Sequence, residues 1–229
     1  MAQFMGDSDL ILSQRLGEWC GHAPVLEEDL ALTNTALDLL GQARLWLGLA
    51  GELEGRGRGE DELAFLRDAG EYRNLLLAEQ PNGDYAQTMV RQYYFDAWHR
   101  LELARLRAMP EGRIAEIAAK AATENAYHLR RSRDWVVRMG DGTDESHRRA
   151  QAAAAALWPY TGEMFAGDSA GLREVWMEEV RRTFAEATLE VPTATWAHKG
   201  GREGVHTEAL GHMLAEMQFL QRAYPHAKW

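Results

Sequence analysis

Glu124 and His128 stand one helical turn apart in "KAATENAYHLRRSRDW" (120–135), and Asp96 and His99 stand three residues apart in "FDAWH". Carboxylate and imidazole on one helix face are the donors from which a carboxylate-bridged di-iron centre is assembled. Such a centre takes about four carboxylates and two imidazoles, in the pattern Glu, Glu-x-x-His, Glu, Glu-x-x-His on four helices, because the carboxylates both bridge the metals and balance their charge. Asp38 fits the first position, Asp96 with His99 the second and Glu124 the third. The step from Glu124 to His128 is wider by one residue than this chemistry prefers.

Positioning these residues requires helices. Period-2 alternation bounded by turn residues is absent, so no strand is predicted. Turn signals lie at Pro24, "GRGRG" (55–59), "PNGD" (81–84), "MPEG" (109–112), "MGDGTD" (139–144), "AGDSAG" (166–171) and the stretch 191–205. They separate helices predicted at about 8–20, 25–53, 60–79, 84–108, 111–138, 144–165, 171–189 and 206–223. Short turns between 84 and 165 make neighbours antiparallel and give a helix bundle, with one domain over residues 1–229 as the default.

The stripes tell which faces meet. On 84–108, Tyr85, Met89, Gln92, Asp96, His99, Leu103 and Leu106 share one line, so Asp96 and His99 point inward. On 111–138 the line reads Ile114, Ile117, Ala121, Glu124, His128 and Trp135, interrupted by Arg131. In "LALTNTALDLLGQARLWLGLA" (30–50) the charged side chains are Asp38 and Arg44 alone, the composition of a helix surrounded by neighbours, and Asp38 is expected to be buried or half-buried.

The fourth ligand position is tested by depth from the turn. Glu124 and His128 lie 17 and 13 residues before Asp141, which corresponds to about 154–158 on the next antiparallel helix. That region, "QAAAAALW", offers no ligand. "DESH" (144–147) has the three-residue step but lies in the first turn, where capping and interaction with the helix dipole are the expected roles. A buried carboxylate must be paired, bind metal or face water, and the alanine wall favours a hydrogen-bonded remnant over a working metal centre.

Composition narrows the function classes. A chain of 229 residues with 46% hydrophobic and 26% charged content is a globular protein with room for a sizeable core. A net charge of -10 argues against nucleic acid or anionic membrane as a partner. The single cysteine, Cys20, leaves no disulfide framework and points to a reducing cytoplasm. No apolar run approaches the roughly 18 residues of a spanning helix, and no export signal is read at the start.

"QRLGEWCGHAPVLEEDLALTNTALDLLGQARLW", "RNLLLAEQPNGDYAQTMVRQYYFDAWH", "YHLRRSRDWVVRMGDGTDESHRRAQ" and "HTEALGHMLAEMQFLQRAYPHAKW" resemble the structural C subunits of bacterial phenylacetyl-CoA epoxidases, multicomponent monooxygenases of phenylacetate degradation. The likeness runs from about Gly6 to Trp229. It implies an all-α, ferritin-like four-helix bundle with additional flanking helices. It implies a stable complex with a homologous catalytic subunit that carries the iron, a reductase subunit drawing electrons from NADPH, and epoxidation of the ring of phenylacetyl-CoA. A non-catalytic subunit has no complete ligand set and no cofactor of its own, and Asp38, Asp96, His99, Glu124 and His128 would then be a structural remnant. The alternatives are an active oxygenase using those five residues, and a storage or binding bundle without redox chemistry.

Other features are weighed on this background. Tyr93, Tyr94, Phe95 and Trp98 surround one helix, and Tyr93 and Trp98 are expected in part at an interface with the sister subunit. In "HKGGREG" (198–204) Lys199 and Arg202 with the glycines suit contact with an anion or an acidic partner, or else form a connector. His198, His206, His212 and His226 lack ligand spacing and are assigned no metal. Leu210, Met213, Leu214, Met217 and Leu220 are read as packing, and Cys20 as a small core residue.

Overall fold

The structure is a computed structural model that describes residues 1–110, 112–225 and 227. Its helices are α1 (Ala2–Gly17), α2 (Leu26–Glu54), α3 (Glu60–Phe65), α4 (Tyr85–Arg107), α5 (Gly112–Gly140), α6 (Asp144–Leu157), α7 (Arg173–Glu186), α8 (Glu208–Met217) and α9 (Phe219–Ala223). No strand occurs among the described residues, and the fold is all-α and ferritin-like in class. Local chemistry sets several boundaries. Asp84 caps α4 by accepting the Gln87 amide at 2.9 Å, Thr143 caps α6 by accepting the Ser146 amide at 3.2 Å, and Gly55 ends α2 in the left-handed region at φ 70°.

The segment predicted helical over 60–79 is helical only through Phe65, and the helix predicted from residue 8 starts at Ala2. Both differences have one cause. The α1 helix runs through "DSD" (7–9) and sends Asp7 and Ser8 to the chain around 66–80. Arg67 pairs with Asp7, the Arg73 amide donates to Asp7 Oδ2 at 2.9 Å, and the Leu75 amide donates to Ser8 Oγ at 3.1 Å. Donors satisfied from α1 no longer need an intrahelical acceptor. The predicted helices 25–53, 84–108 and 111–138 agree with α2, α4 and α5 within two residues, whereas three later ones are shortened or split: 144–165 continues after Leu157 as 3-10 turns, 171–189 becomes regular at Arg173, and 206–223 breaks at Gln218. Glu111, where 111–138 was to begin, lies outside the described residues.

The chain divides into two compact units, residues 1–81 with 200–229, and residues 82–199. In the first, α1 packs on α2 so closely that a Cβ at Gly6 would sit 2.8 Å from Leu47. Gln218 then ties the C-terminal segment to this unit, donating to the Ala64 and Arg67 carbonyls at 3.2 and 3.0 Å. In the second, α4 and α5 form an antiparallel hairpin covered by α6 and α7. Tyr94 sits at its aromatic centre, with ring centroids 5.7 Å from Trp158, 5.6 Å from Trp176 and 6.1 Å from Phe184.

Candidate functional site

The polar core of the second unit is built where two helical lines face each other. On α4, Gln92, Asp96 and His99 are fully buried. On α5 the inward line runs through Ile117, Ala121, Asn125, His128, Ser132, Val136 and Met139, all buried. It therefore passes one residue to the side of the predicted line at three places, taking Asn125 instead of Glu124, Ser132 instead of Arg131 and Val136 instead of Trp135. The two helices thus present Asp96-x-x-His99 and Asn125-x-x-His128, each with the step of three that a metal-binding helix uses.

Asp96 accepts from Gln92 Nε2 at its Oδ1 and from Ser132 Oγ at its Oδ2, both at 2.7 Å. Burial raises its pKa to about 6, against the lowering influence of His128 and of these two donors. His99 is pushed down to about 3, by burial first and then by the nearby His128, so its imidazole is neutral. Its ring lies among aromatic neighbours, with centroids 5.0 Å from Phe95 and 5.9 Å from Trp98. Asn125 is fully buried, and neither amide atom has a hydrogen-bond partner among the described residues.

Glu124 and Asp38 are less buried than Asp96 and the two histidines. Glu124 is half-buried, its side chain 24% exposed and 3.8 Å from Lys120 Nζ. Asp38 is half-buried on α2, in the first unit. Ala153 and Ala154 are buried on α6, with Ala152, Ala155 and Ala156 outside. Glu102 of α4 is also buried, but Arg105 donates to both its oxygens, at 3.1 and 2.6 Å, and Ser169 to one of them at 3.0 Å. In the 144–147 turn, Asp144 and Glu145 are the acids of the first turn, while His147 sits 2.8 Å from the Gly140 carbonyl.

This donor set does not fit a carboxylate-bridged iron pair. Where α4 faces α5, Asp96 is fully buried with both oxygens engaged, and a neutral amide stands at the carboxylate position ahead of His128. Among the described residues, no group of three or more His, Cys, Asp or Glu is arranged to hold a metal ion. Asn125, Gln92 and Ser132 were missed as site residues because neutral side chains do not register in a search for ligands. The step of three back from His128 was the available signal.

Two expectations about exposure are corrected, for the Tyr93/Trp98 pair and for Cys20. Tyr93 and Trp98, expected at an interface, are fully buried: Tyr93 packs on Tyr94 and Phe184, and Trp98 on Phe95 and His99. Arg202, expected to meet an anion, lays its guanidinium over the Phe4 ring at 3.7 Å, while Lys199 remains exposed. The nearby Gly204 is needed by packing, since a Cβ there would lie 2.2 Å from the Gly70 carbonyl. Cys20, expected in the core, is exposed. Of the C-terminal histidines, His198 stacks on Tyr160 at 4.2 Å and His206 Nδ1 lies 3.0 Å from Glu79 Oε2. His212 Nε2 is 3.2 Å from Glu208, and His226 lies outside the described residues.

No helix among the described residues is long and apolar enough to cross a membrane. The family described as phenylacetic acid catabolic protein matches residues 1–229. The C subunit of the 1,2-phenylacetyl-CoA epoxidase of Escherichia coli (strain K12) is 51% identical over 239 residues, which cover 98% of this chain and 96% of that relative.

Proposed function

Because this chain belongs to the phenylacetic acid catabolic protein family, we propose that it is the non-catalytic, scaffolding subunit of a 1,2-phenylacetyl-CoA epoxidase in aerobic phenylacetate degradation. It acts in the cytoplasm beside a homologous subunit that carries the di-iron centre and, with further subunits including an NADPH-dependent reductase, epoxidises the ring of phenylacetyl-CoA. This chain itself holds no cofactor. The observation that carries the reading is the amide of Asn125 at the carboxylate position ahead of His128, facing an Asp96 whose two oxygens are already bonded.

On this reading Asp96, His99 and His128 hold α4 against α5 and move no substrate atom. The competing reading, an oxygenase using Asp38, Asp96, His99, Glu124 and His128, is weakened by the place of Glu124, half-buried beside Lys120. Co-expression with the sister subunit, followed by metal analysis of each separated chain, tests the proposal. Well under one iron per copy of this chain is expected, with no turnover of phenylacetyl-CoA when the chain and the reductase are supplied alone. About two irons per chain with a di-iron optical signature, or epoxide formed without the sister, would overturn it.

A further inference from the structure

The α2 helix carries leucines on its outward as well as its inward side, yet the chain covers only the inward one. Leu32, Leu39, Ala43 and Trp46 are buried, whereas Leu26, Leu30 and Leu37 are 71%, 55% and 59% exposed, and Leu45 is 36% exposed on the same outward line. Leucines in this density on a water-facing stripe mark a surface made for a neighbour.

The glycines of α2 say what kind of neighbour. A Cβ at Gly51 would lie 2.1 Å from the Arg58 carbonyl, so the chain's own packing requires that glycine. A Cβ at Gly41, between Leu37 and Leu45 on the outward line, would meet nothing within 4 Å. Glycine inside a helix is unfavourable, and this one has no internal reason to be there. Close approach of another backbone is the reason such a position supplies, and leucines on either side of a gap are the relief into which a second helix packs.

Charge selects the partner. Exposed Glu27 and Glu52 border the stripe at its two ends, and Asp38 is half-buried at its edge. Arg44, also on this side, lies 3.5 Å from Glu60. With a net charge of -10 on the whole chain, a second copy would set acidic rim against acidic rim. We propose that the outward face of α2, from Leu26 to Gly48, receives an apolar helix flanked by lysine or arginine from the partner subunit, with the two backbones closest at Gly41. The inference rests on the reading of the chain as one subunit of a hetero-oligomer and adds the face by which it is held.

Gly41→Leu provides a test with opposite signs in the two states. In the free chain the new side chain meets solvent and replaces a poor helix former, so the melting temperature holds or rises. In the complex it enters the seam, and affinity for the sister subunit falls by about tenfold or more. Val175→Glu, at an exposed apolar residue of α7, serves as the control and leaves affinity unchanged. Separately, in a Cys20→Ser background, Leu37→Cys reacts with a maleimide in the free chain and is protected in the complex.

If the native chain pairs with the sister but Gly41→Leu pairs equally well and Leu37→Cys stays reactive, this face is not the interface, while the subunit reading stands. If the native chain does not pair at all, both fall. Protection of Leu37→Cys in the free chain, by self-association, overturns the choice of partner.

Discussion

Both units bury polar side chains, but they treat charge differently. In the first, Asp7 receives Arg67 on both oxygens and the Arg73 amide at 2.9 Å. Glu79 receives Asn74 Nδ2 at 2.9 Å and the Thr207 amide at 2.6 Å, with His206 Nδ1 at 3.0 Å. Arg15 donates to the Glu79 carbonyl at 3.1 and 2.8 Å. Each of these buried charges meets a counter-charge or a backbone group from a distant part of the sequence, so the network ties α1, the 66–80 chain and the C-terminal segment together. In the second, Glu102 has Arg105, but along the facing lines of α4 and α5 Asp96 has two neutral donors, His99 is held neutral and Asn125 lacks a hydrogen bond among the described residues. Helical spacing suited to metal occurs there without the donors, whereas the tightly matched network lies in the first unit. Density of matched charge locates what fastens the chain.

The largest effect expected from this contrast comes from Arg67→Met. Asp7 is fully buried, and burial already raises its pKa against the pull of Arg67. Removing the guanidinium strands the carboxylate, and breaking one side of a buried pair costs about 3 to 5 kcal/mol. Urea denaturation at pH 7 should show that loss, and Arg67→Met with Asp7→Leu should recover most of it. A loss below about 1 kcal/mol would remove the distinction between the two units.

The second unit should respond to pH instead. Asp96, raised to about 6, takes up a proton in the folded state between about 4 and 6, where the unfolded chain does not; alone it makes stability rise as pH falls through 6. His99, depressed to about 3, refuses a proton that the unfolded chain binds below about 6.5; alone it makes stability fall with pH from 6.5 towards 3. The slopes oppose each other between about 4 and 6, so these two groups leave little net slope there. Asp96→Asn removes the first. At pH 7 it relieves a burial cost of up to about 3 kcal/mol, offset by weaker bonds from Gln92 and Ser132. Below pH 6.5 its stability should then drop with the full slope of one proton. Urea midpoints from pH 4 to 7 check this, and parallel profiles for the native chain and Asp96→Asn would refute it.

How much of this the sequence revealed follows the range of the interactions. The starts of α4 and α6 were legible because Asp84 and Thr143 act within three residues. The 60–79 segment, with "LLLAE", has strong helix formers, but its amides are taken by Asp7 and Ser8, more than 60 residues earlier, and no local pattern records that. Tyr93 and Trp98 looked too bulky for the core for a similar reason. Phe184, which packs on Tyr93, and Trp158 and Trp176, which pack on the adjacent Tyr94, belong to later segments. On α5 the register slipped by one residue because Glu124 carries a charge and Asn125 does not. The inward line was nonetheless present as Ile117, Ala121, Asn125, His128 and Ser132.

The smallest effect draws the comparison most finely, because one substitution should have opposite signs in the two units. Asn74 Nδ2 donates to Glu79 at 2.9 Å and to the Leu75 carbonyl at 3.1 Å, so Asn74→Leu removes a charge-assisted bond inside a buried network and should cost about 1 to 3 kcal/mol. Asn125→Leu removes a buried amide with no hydrogen bond among the described residues and replaces it with apolar volume of similar size. The desolvation penalty of the amide disappears, and the chain should gain about 1 kcal/mol. Thermal and urea unfolding of both variants measure the signs. If Asn125→Leu destabilises the chain as much as Asn74→Leu does, the amide is bonded in solution, and the second unit's core is as fully matched as the first. If it leaves a stable, assembled and iron-loaded complex that no longer turns over, Asn125 belongs to the reaction and the scaffold reading fails. A gain in stability with unchanged turnover per iron is the outcome that a disused ligand position requires.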